Sequence, residues 1–537
     1  MDDSAKPHER EWQAMRAAAD ELAAQGRWQQ ALAAYDAMLA HAPGDLQGRT
    51  HRGNVLRQLG RLDEAILAYR HVLADDPSYR LAWANLGSAL HAAGDLPGAL
   101  AGIDRAIALG AGDAGTRCNR GVVLQALGRH EEAIAEFNLV IDARPKHADA
   151  LYNRANSYQA TGRYVQARDD FLAAHTLRPG HVDTLYNLGT LLQSMNRHRD
   201  AVVCFERALA ARPGDLKTRF NLSLSLLSLG DLARGFAEYE TRWQLPPLEG
   251  GLSRFPMPRL ASVGDAAGRR VLVHAEQGLG DTIQFARYAS RLAASGSHVL
   301  LSVPRQVERL LRDLDGVASV LAGDNGIPPA DFHCPLLSLP GLMQATVNDI
   351  PMREAYLHVP SAEVDAWHAR LGATRRLRVG LAWSGNPGHV NDRARSIPLA
   401  ALEPLRDAGC EFISLQKEYR ASDRPALQAW GDLRDLSADL RDMRDTAALI
   451  SALDLVICVD TSVAHLAGAL GKPAWIALAH AADWRWLTVR RDSPWYASVR
   501  LYRQPQRDAW PAVVEEIRRD LVSLAATGAT GTHGRDA

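Results

Sequence analysis

Three groups of side chains have the types and spacing to handle a phosphorylated ligand. The first follows the apolar run Leu455-Val-Ile-Cys-Val459, where Asp460, Thr461 and Ser462 precede a helix-forming stretch. A strand that ends where a helix begins leaves the first backbone N–H groups of that helix unpaired, and with the helix dipole and two hydroxyls they suit a phosphate. His465, one turn inside, adds an imidazole that can donate to a phosphate oxygen. Plain capping would select the same Asp, Thr and Ser. The second group is Glu276 and Asp281, around the turn Gly278-Leu-Gly280. A carboxylate there repels phosphate but suits a general base that takes a proton from an attacking hydroxyl. Asp281 is the first choice for that base and Glu276, five residues earlier, the rival; an acidic residue in a first helical turn is also simply favourable to the helix. The third group is the loop from Asn386 to Arg395, where Asn and Gly permit a tight turn and Arg395 can neutralise a leaving phosphate. Lys417, after another strand, can do the same or can be a solvated surface charge.

Two phosphate loops are excluded. Gly278-Leu-Gly280 lacks the third glycine of a dinucleotide fingerprint, because Ile283 stands there. Lys472 follows a glycine but precedes Pro473, so it does not belong to a Walker A loop.

These groups need strand ends to hold them. The runs 270–277, 298–304, 377–384, 411–416, 454–460 and 474–478 read as buried strands, with helices predicted over 282–294, 306–314 and from Ser462. The segments from Asp331 and Tyr356 read as later edges of the first sheet. Alternating strands and helices imply parallel sheets with ligands at the carboxyl ends.

The first half follows a different rule, a period of 34 residues. Ala31, Ala65, Ala99, Ala133, Ala167, Ala201 and Gly235 keep it, with Tyr35, Tyr69, Ile103, Phe137, Phe171, Phe205 and Tyr239 four residues on. Gly26, Gly60, Gly94, Gly128, Gly162, Asn196 and Gly230 punctuate the middle of each unit, and Pro43, Pro77, Pro145, Pro179, Pro213 and Pro247 the end, with Ala111 in the gap. A small residue lets two helices approach, the large one fills the layer between repeats, glycine turns the chain and proline stops the second helix. Asn85, Asn119, Asn153, Asn187 and Asn221 form a further column. Facing a groove, such amides can hold a peptide backbone without reading its side chains; facing each other, they tie neighbouring repeats together.

Composition narrows the class. Lys and Arg total 61 against 62 Asp and Glu, a balance that argues against nucleic-acid or membrane-surface binding. Five separated cysteines suit reduced thiols, no apolar run reaches the ~18 residues of a membrane span, and no leader is visible, so a cytoplasmic protein is expected.

The 34-residue columns, with Trp83-x2-Leu86-Gly87, resemble the tetratricopeptide repeat, about seven copies of it. The asparagine column resembles the ladder of O-GlcNAc transferase. Glu276-QGLGDTIQFARY-Tyr288, Trp383-SGNP, Arg395-SIPL, Asp460-TSVAHLAGALGKP-Pro473 and Asp483-WRWL with Ser493-PWY resemble the heptosyltransferases and the repeat-fused bacterial glycosyltransferases of flagellin, although Ser462 stands where heptosyltransferases have Gly. The resemblance implies an α-solenoid followed by a two-lobed α/β GT-B domain with parallel sheets. The period and its end at a Pro- and Gly-rich stretch divide off a repeat array (1–243) and a linker (244–268). The resemblance implies a first lobe (269–375) and a donor-binding second lobe (376–526), and the small polar residues 527–537 read as a disordered tail. The resemblance further implies an enzyme that moves a sugar from a nucleotide-sugar co-substrate to a protein acceptor such as flagellin, with no metal and no cofactor. Asp281 or Glu276 would act as base, and Gly280, Asn386, Arg395, Lys417, Asp460, Thr461, Ser462 and His465 would bind the donor. Asn85, Asn119, Asn153, Asn187 and Asn221 would hold the acceptor. A lipid-linked saccharide acceptor, or a scaffold with a relic enzyme domain, are the competing functions.

Overall fold

The computed structural model describes residues 5–323, 326–351, 354–389 and 391–530. Among them, fourteen helices from Ala5–Ala24 to Leu232–Tyr239 form the repeat array. The 34-residue columns act as their chemistry requires. Gly128 turns the chain between paired helices at φ 74°, and Asn196, the one non-glycine of that column, adopts the same left-handed conformation at φ 58°. Asp45, Asp113 and Asp215 follow the helix-ending segments and accept hydrogen bonds from the first N–H groups of the next helix. Ala133 and Phe137 are fully buried. Gly121 makes room for that ring, since a Cβ there would lie 2.5 Å from Phe137 Cε1.

The chain separates into two compact units, Met1–Leu191 and Leu192–Ala537. The first holds ten helices and most of the eleventh, with a core that runs from Ala19 to Ala150. The second begins inside the repeats. Its last two repeat helices, Leu216–Ser228 and Leu232–Tyr239, contribute Leu227, Phe236 and Tyr239 to the core that also buries the sheets.

Two parallel sheets follow. The first contains β1 (Arg270–His274), β2 (His298–Val303), β3 (Ser319–Ala322) and β4 (Phe332–Pro335), in the order β3-β2-β1-β4. The second contains β5 (Arg378–Ala382), β6 (Glu411–Ser414), β7 (Arg434–Asp435), β8 (Leu455–Val459), β9 (Ala474–Leu478) and β10 (Val499–Arg503), in the order β10-β9-β8-β5-β6-β7. Every residue of β5 and β8 is buried, which explains their nearly unbroken apolar runs. In each sheet the order reverses beside the first strand, so crevices open at the carboxyl ends of β1 and β4 and of β5 and β8.

Three sequence expectations change. The segment 356–360 is not a strand: the Tyr356 and Leu357 N–H groups both reach Ala469 O, and the Tyr356 hydroxyl is buried against Ile283 O. β3, β7 and β10 have no counterpart in the sequence reading, the first two because four- and two-residue strands carry little pattern, the last because arginine and tyrosine interrupt its apolar alternation. The stretch expected as a tail from Thr527 continues the helix Trp510–Thr530, and 531–537 lie outside the described residues.

Phe137→Ala should leave a void between repeats and cost about 3–5 kcal/mol. Chemical unfolding followed by circular dichroism checks it; a cost below ~1 kcal/mol would mean that the ring column does not carry the array.

Candidate active site

The carboxyl end of β1 leads through Glu276 and Gly278 into the helix Leu279–Ala294, and that of β8 through Asp460 and Thr461 into the helix Ser462–Ala469. The two helix starts meet. A Cβ on Gly280 would stand 2.8 Å from His465 Cδ2 and 3.5 Å from Ser462 Cα, so only glycine permits the approach. Two positive dipole ends thus converge on one spot, an arrangement that favours an anion. Thr461 caps its helix by accepting from Val463 N, at 3.3 Å.

Asp281 lies at that junction with 19% of its side chain exposed. Its Oδ2 accepts the Gly278 N–H at 3.0 Å, and its Oδ1 pairs with Arg485. Arg485 also bonds Asp483 at 2.7 Å and lies 4.3 Å over the Trp484 ring. Burial works against its charge, but Asp281 and Asp483 more than offset that and hold the guanidinium well above its ordinary range. Desolvation, joined by the like charge of Asp483, pushes Asp460 up to about 6. Asp483 itself moves the other way: burial opposes its charge, and Arg485 outweighs burial. Sequence reasoning saw Asp483 and Arg485 only as part of a Trp-rich motif; no spacing rule links Arg485 to a partner 204 residues away.

His465 is 5% exposed. Trp486 stacks on it at 5.2 Å between centroids, and Tyr496 Oη lies 3.0 Å from Nδ1. Burial, with Arg485 nearby, pushes this imidazole down to about 3, so it is neutral.

The loop after β5 closes the same crevice. The β5–β8 register pairs Ala382 with Cys458, and Ser384 and Asp460 each follow two residues beyond that pair. Ser384 is 6% exposed and its hydroxyl has no partner among the described residues. Gln416 pins this loop by accepting from Trp383 N and Ser384 N, both at 3.2 Å. Asn386 Oδ1 accepts from Gly388 N at 2.9 Å, the tight turn expected of it. Arg395 packs on Gly385, where a Cβ would be 2.5 Å from its Nη2. Arg420, which the sequence did not single out, donates to Gly385 O at 3.3 Å and pairs with Asp392.

Two expected residues are engaged by other partners. Lys417 spends its ammonium on Ser437 O at 2.9 Å, so it braces a loop. Glu276 is 3% exposed: Oε1 pairs with Arg242 at 2.9 Å and accepts from Leu337 N, and Oε2 accepts from Leu336 N. Burial pushes it up to about 7 against the pull of Arg242. With both oxygens enclosed it ties the segment just after the last repeat helix to β1.

Of the asparagine column, Asn119 donates to Ser88 Oγ at 3.2 Å, and Asn187 to Tyr152 Oη at 2.9 Å and Asn156 Oδ1 at 3.0 Å. Asn221 bonds its own helix at Lys217 O. Asn119 is exposed, and Asn85, Asn153, Asn187 and Asn221 are half-buried. Asn119 and Asn187 thus bridge neighbouring repeats, and none of the five residues is buried.

A titration separates the buried histidines from the acids. His274, on β1 beside His333, is pushed down to about 3 by burial from the 6.5 of the unfolded chain. Its contribution to stability is complete above pH 6.5 and is lost as pH falls toward 3, because the unfolded chain takes the proton first. Glu276 and Asp460, raised by burial, act in the opposite sense over part of that range. His274→Gln should therefore change the slope of unfolding free energy near pH 5 by one proton, about 1.4 kcal/mol per pH unit. An unchanged slope would mean that His274 is protonated in the fold.

Comparison with known proteins bears on both halves. Tetratricopeptide-repeat family models match residues 53–94, 114–147, 146–214 and 186–247. The model for glycosyltransferase family 9 (heptosyltransferase) matches 437–504, which holds Asp460, His465 and Arg485. Protein FlbA of Caulobacter vibrioides is 28% identical over 333 residues, 56% of this chain and 54% of FlbA, so the chain spans about half the length of the curated relative it matches. Among solved structures, YrrB, a TPR protein with an unusual peptide-binding site, is 18% identical with a TM-score of 0.30, over 34% of this chain and 95% of YrrB. A tetratricopeptide repeat protein from Parabacteroides merdae is 14% identical with a TM-score of 0.37, over 45% of this chain and 96% of its own. The chain thus carries a tetratricopeptide-repeat array followed by a region that matches glycosyltransferase family 9.

Proposed function

We propose that this protein is a glycosyltransferase that moves a sugar from a nucleotide-activated donor to a protein acceptor engaged by the repeats. The observation that carries the reading is the meeting of two helix starts at Gly280 and His465, which places an anion-favouring spot beside the carboxylate of Asp281. In this reading the donor phosphates lie against the starts of the Leu279–Ala294 and Ser462–Ala469 helices, with the His465, Thr461 and Ser462 side chains and the Ser384 hydroxyl around them. Arg395 and Arg420 line the β5 side and offset the charge that grows on the leaving phosphate. Asp281 accepts the proton of the acceptor hydroxyl as the sugar transfers, which requires Arg485 to rest on Asp483 alone at that moment. The bond between the anomeric carbon and the phosphate oxygen breaks, the acceptor oxygen takes its place, and the proton passes to Asp281.

Asp281→Asn keeps an oxygen for the Gly278 N–H but cannot take the proton. It should fold, bind a nucleotide sugar in calorimetry whether or not chelator is present, and lose about two to four orders of magnitude in turnover. Wild-type turnover would remove Asp281 from the base role.

The acceptor side rests on the exposed parts of the asparagine column. Each amide contributes only ~0.5–1.5 kcal/mol, so the informative variant combines Asn119, Asn153 and Asn187 as alanines. Transfer to protein should fall while donor affinity holds, with a modest loss of melting temperature from the inter-repeat bonds. A variant that melts and binds donor normally yet glycosylates at the wild-type rate sinks the peptide-ladder idea.

A further inference from the structure

His465 is a neutral imidazole, and a neutral imidazole presents one donor and one acceptor. Which nitrogen carries the proton decides whether the ring offers the site an N–H or a lone pair. The ring cannot choose by rotating: Trp486 stacks on one face at an interplanar angle of 19°, and Gly280 abuts the Cδ2–Nε2 edge. Nδ1 faces the other way, 3.0 Å from Tyr496 Oη.

The Tyr496 side chain is as tightly placed. Its ring fills the space left by Gly468, where a Cβ would be 2.4 Å from Tyr496 Cγ. Arg287 sits 4.7 Å over the same ring, with N–H groups given to Trp495 O and Gln284 O. The neighbouring phenol, Tyr356, donates its proton to Ile283 O at 2.8 Å, which leaves its oxygen as the rival acceptor for the Tyr496 proton. That oxygen is already met by the Arg287 guanidinium, and a phenol oxygen accepts more weakly than an imidazole nitrogen. Tyr496 is fully buried, and a buried hydroxyl proton is costly without a good acceptor, so it belongs on the bond to His465 Nδ1.

We infer that Tyr496 is a positioning residue that donates to His465 Nδ1, fixing the Nε2–H tautomer so that the imidazole presents a hydrogen-bond donor, not a base, to an anionic oxygen at the start of the Leu279–Ala294 helix. The anionic oxygen rests on the donor-site reading above; the tautomer does not. The assignment also leaves proton abstraction to Asp281, since His465 then has no free lone pair on the site side.

The test is nitrogen NMR of the full-length protein labelled with 15N-histidine, with His465 identified by the signal missing in His465→Gln. The wild-type ring should show a protonated Nε2 and an acceptor Nδ1. Tyr496→Phe should redistribute the proton between the two nitrogens, and should weaken binding of inorganic pyrophosphate about 3- to 10-fold, the loss expected for one misdirected hydrogen bond. A proton on Nδ1 in the wild type overturns the inference without any variant, as does an unchanged tautomer in a folded Tyr496→Phe. The stated tautomer together with no pyrophosphate binding by the wild type overturns the donor site and leaves the assignment standing.

Discussion

A guanidinium taken out of water must be met by negative charge, and in this protein that demand organises the site. Arg485 is 9% exposed and sits between Asp281, at the first turn after β1, and Asp483, on its own loop. The pairing joins residues that follow strands of the two sheets, and without Asp281 the buried guanidinium would keep Asp483 as its counter-charge, whereas loss of Arg485 would leave both carboxylates without their cation. The pairing also contributes to the charge state around it. Arg485 outweighs burial and keeps Asp483 ionised; at Asp460 burial comes first and Asp483 adds to it, and at His465 burial comes first and Arg485 adds to it. Burial and this ion pair together give three neighbouring groups different protonation behaviour, the condition for dividing acid, base and binding roles.

A second buried arginine does comparable structural work at the end of the repeats. Arg242, just past the helix Leu232–Tyr239, meets Glu240 at 2.7 Å and Glu276 at 2.9 Å, and donates to Ser338 Oγ. Beside it Tyr239 accepts from Gln277 Nε2 at 2.8 Å, and Phe236 packs edge-on against Trp484 at 5.7 Å. The last repeat is therefore a wall of the α/β unit. That accounts for a unit boundary at Leu191, inside the array, where the repeat period alone would set it near residue 243.

Much of this was legible in the chain. A period of 34 residues states its own architecture, because each column has one physical job and the jobs close only when repeats stack. The apolar runs of β1, β5 and β8 announced buried parallel strands, and residues just past their ends could be named as site candidates, since ligands gather at carboxyl ends. Asp281, Gly280, Thr461, His465, Asn386 and Arg395 follow from that local logic, each set by its neighbours in sequence.

What the tertiary structure decided are the pairings between distant segments. Asp281 with Arg485, Glu276 with Arg242, and His465 with Tyr496 and Trp486 join residues whose separations obey no period, and a carboxylate reads the same in sequence whether it faces solvent or a buried arginine. So Glu276 and Asp281 read as equals in sequence, while the fold encloses the first beside Arg242 and leaves the second partly open. Lys417 was named from its place after a strand and Arg420 was not, yet it is Ser437 O that takes the first and Gly385 O the second. The physical reason is common to all of them: local pattern determines helices, turns and strands through short-range sterics and periodic burial, while charge and hydrogen-bond partners depend on which surfaces the fold brings within about 3 Å.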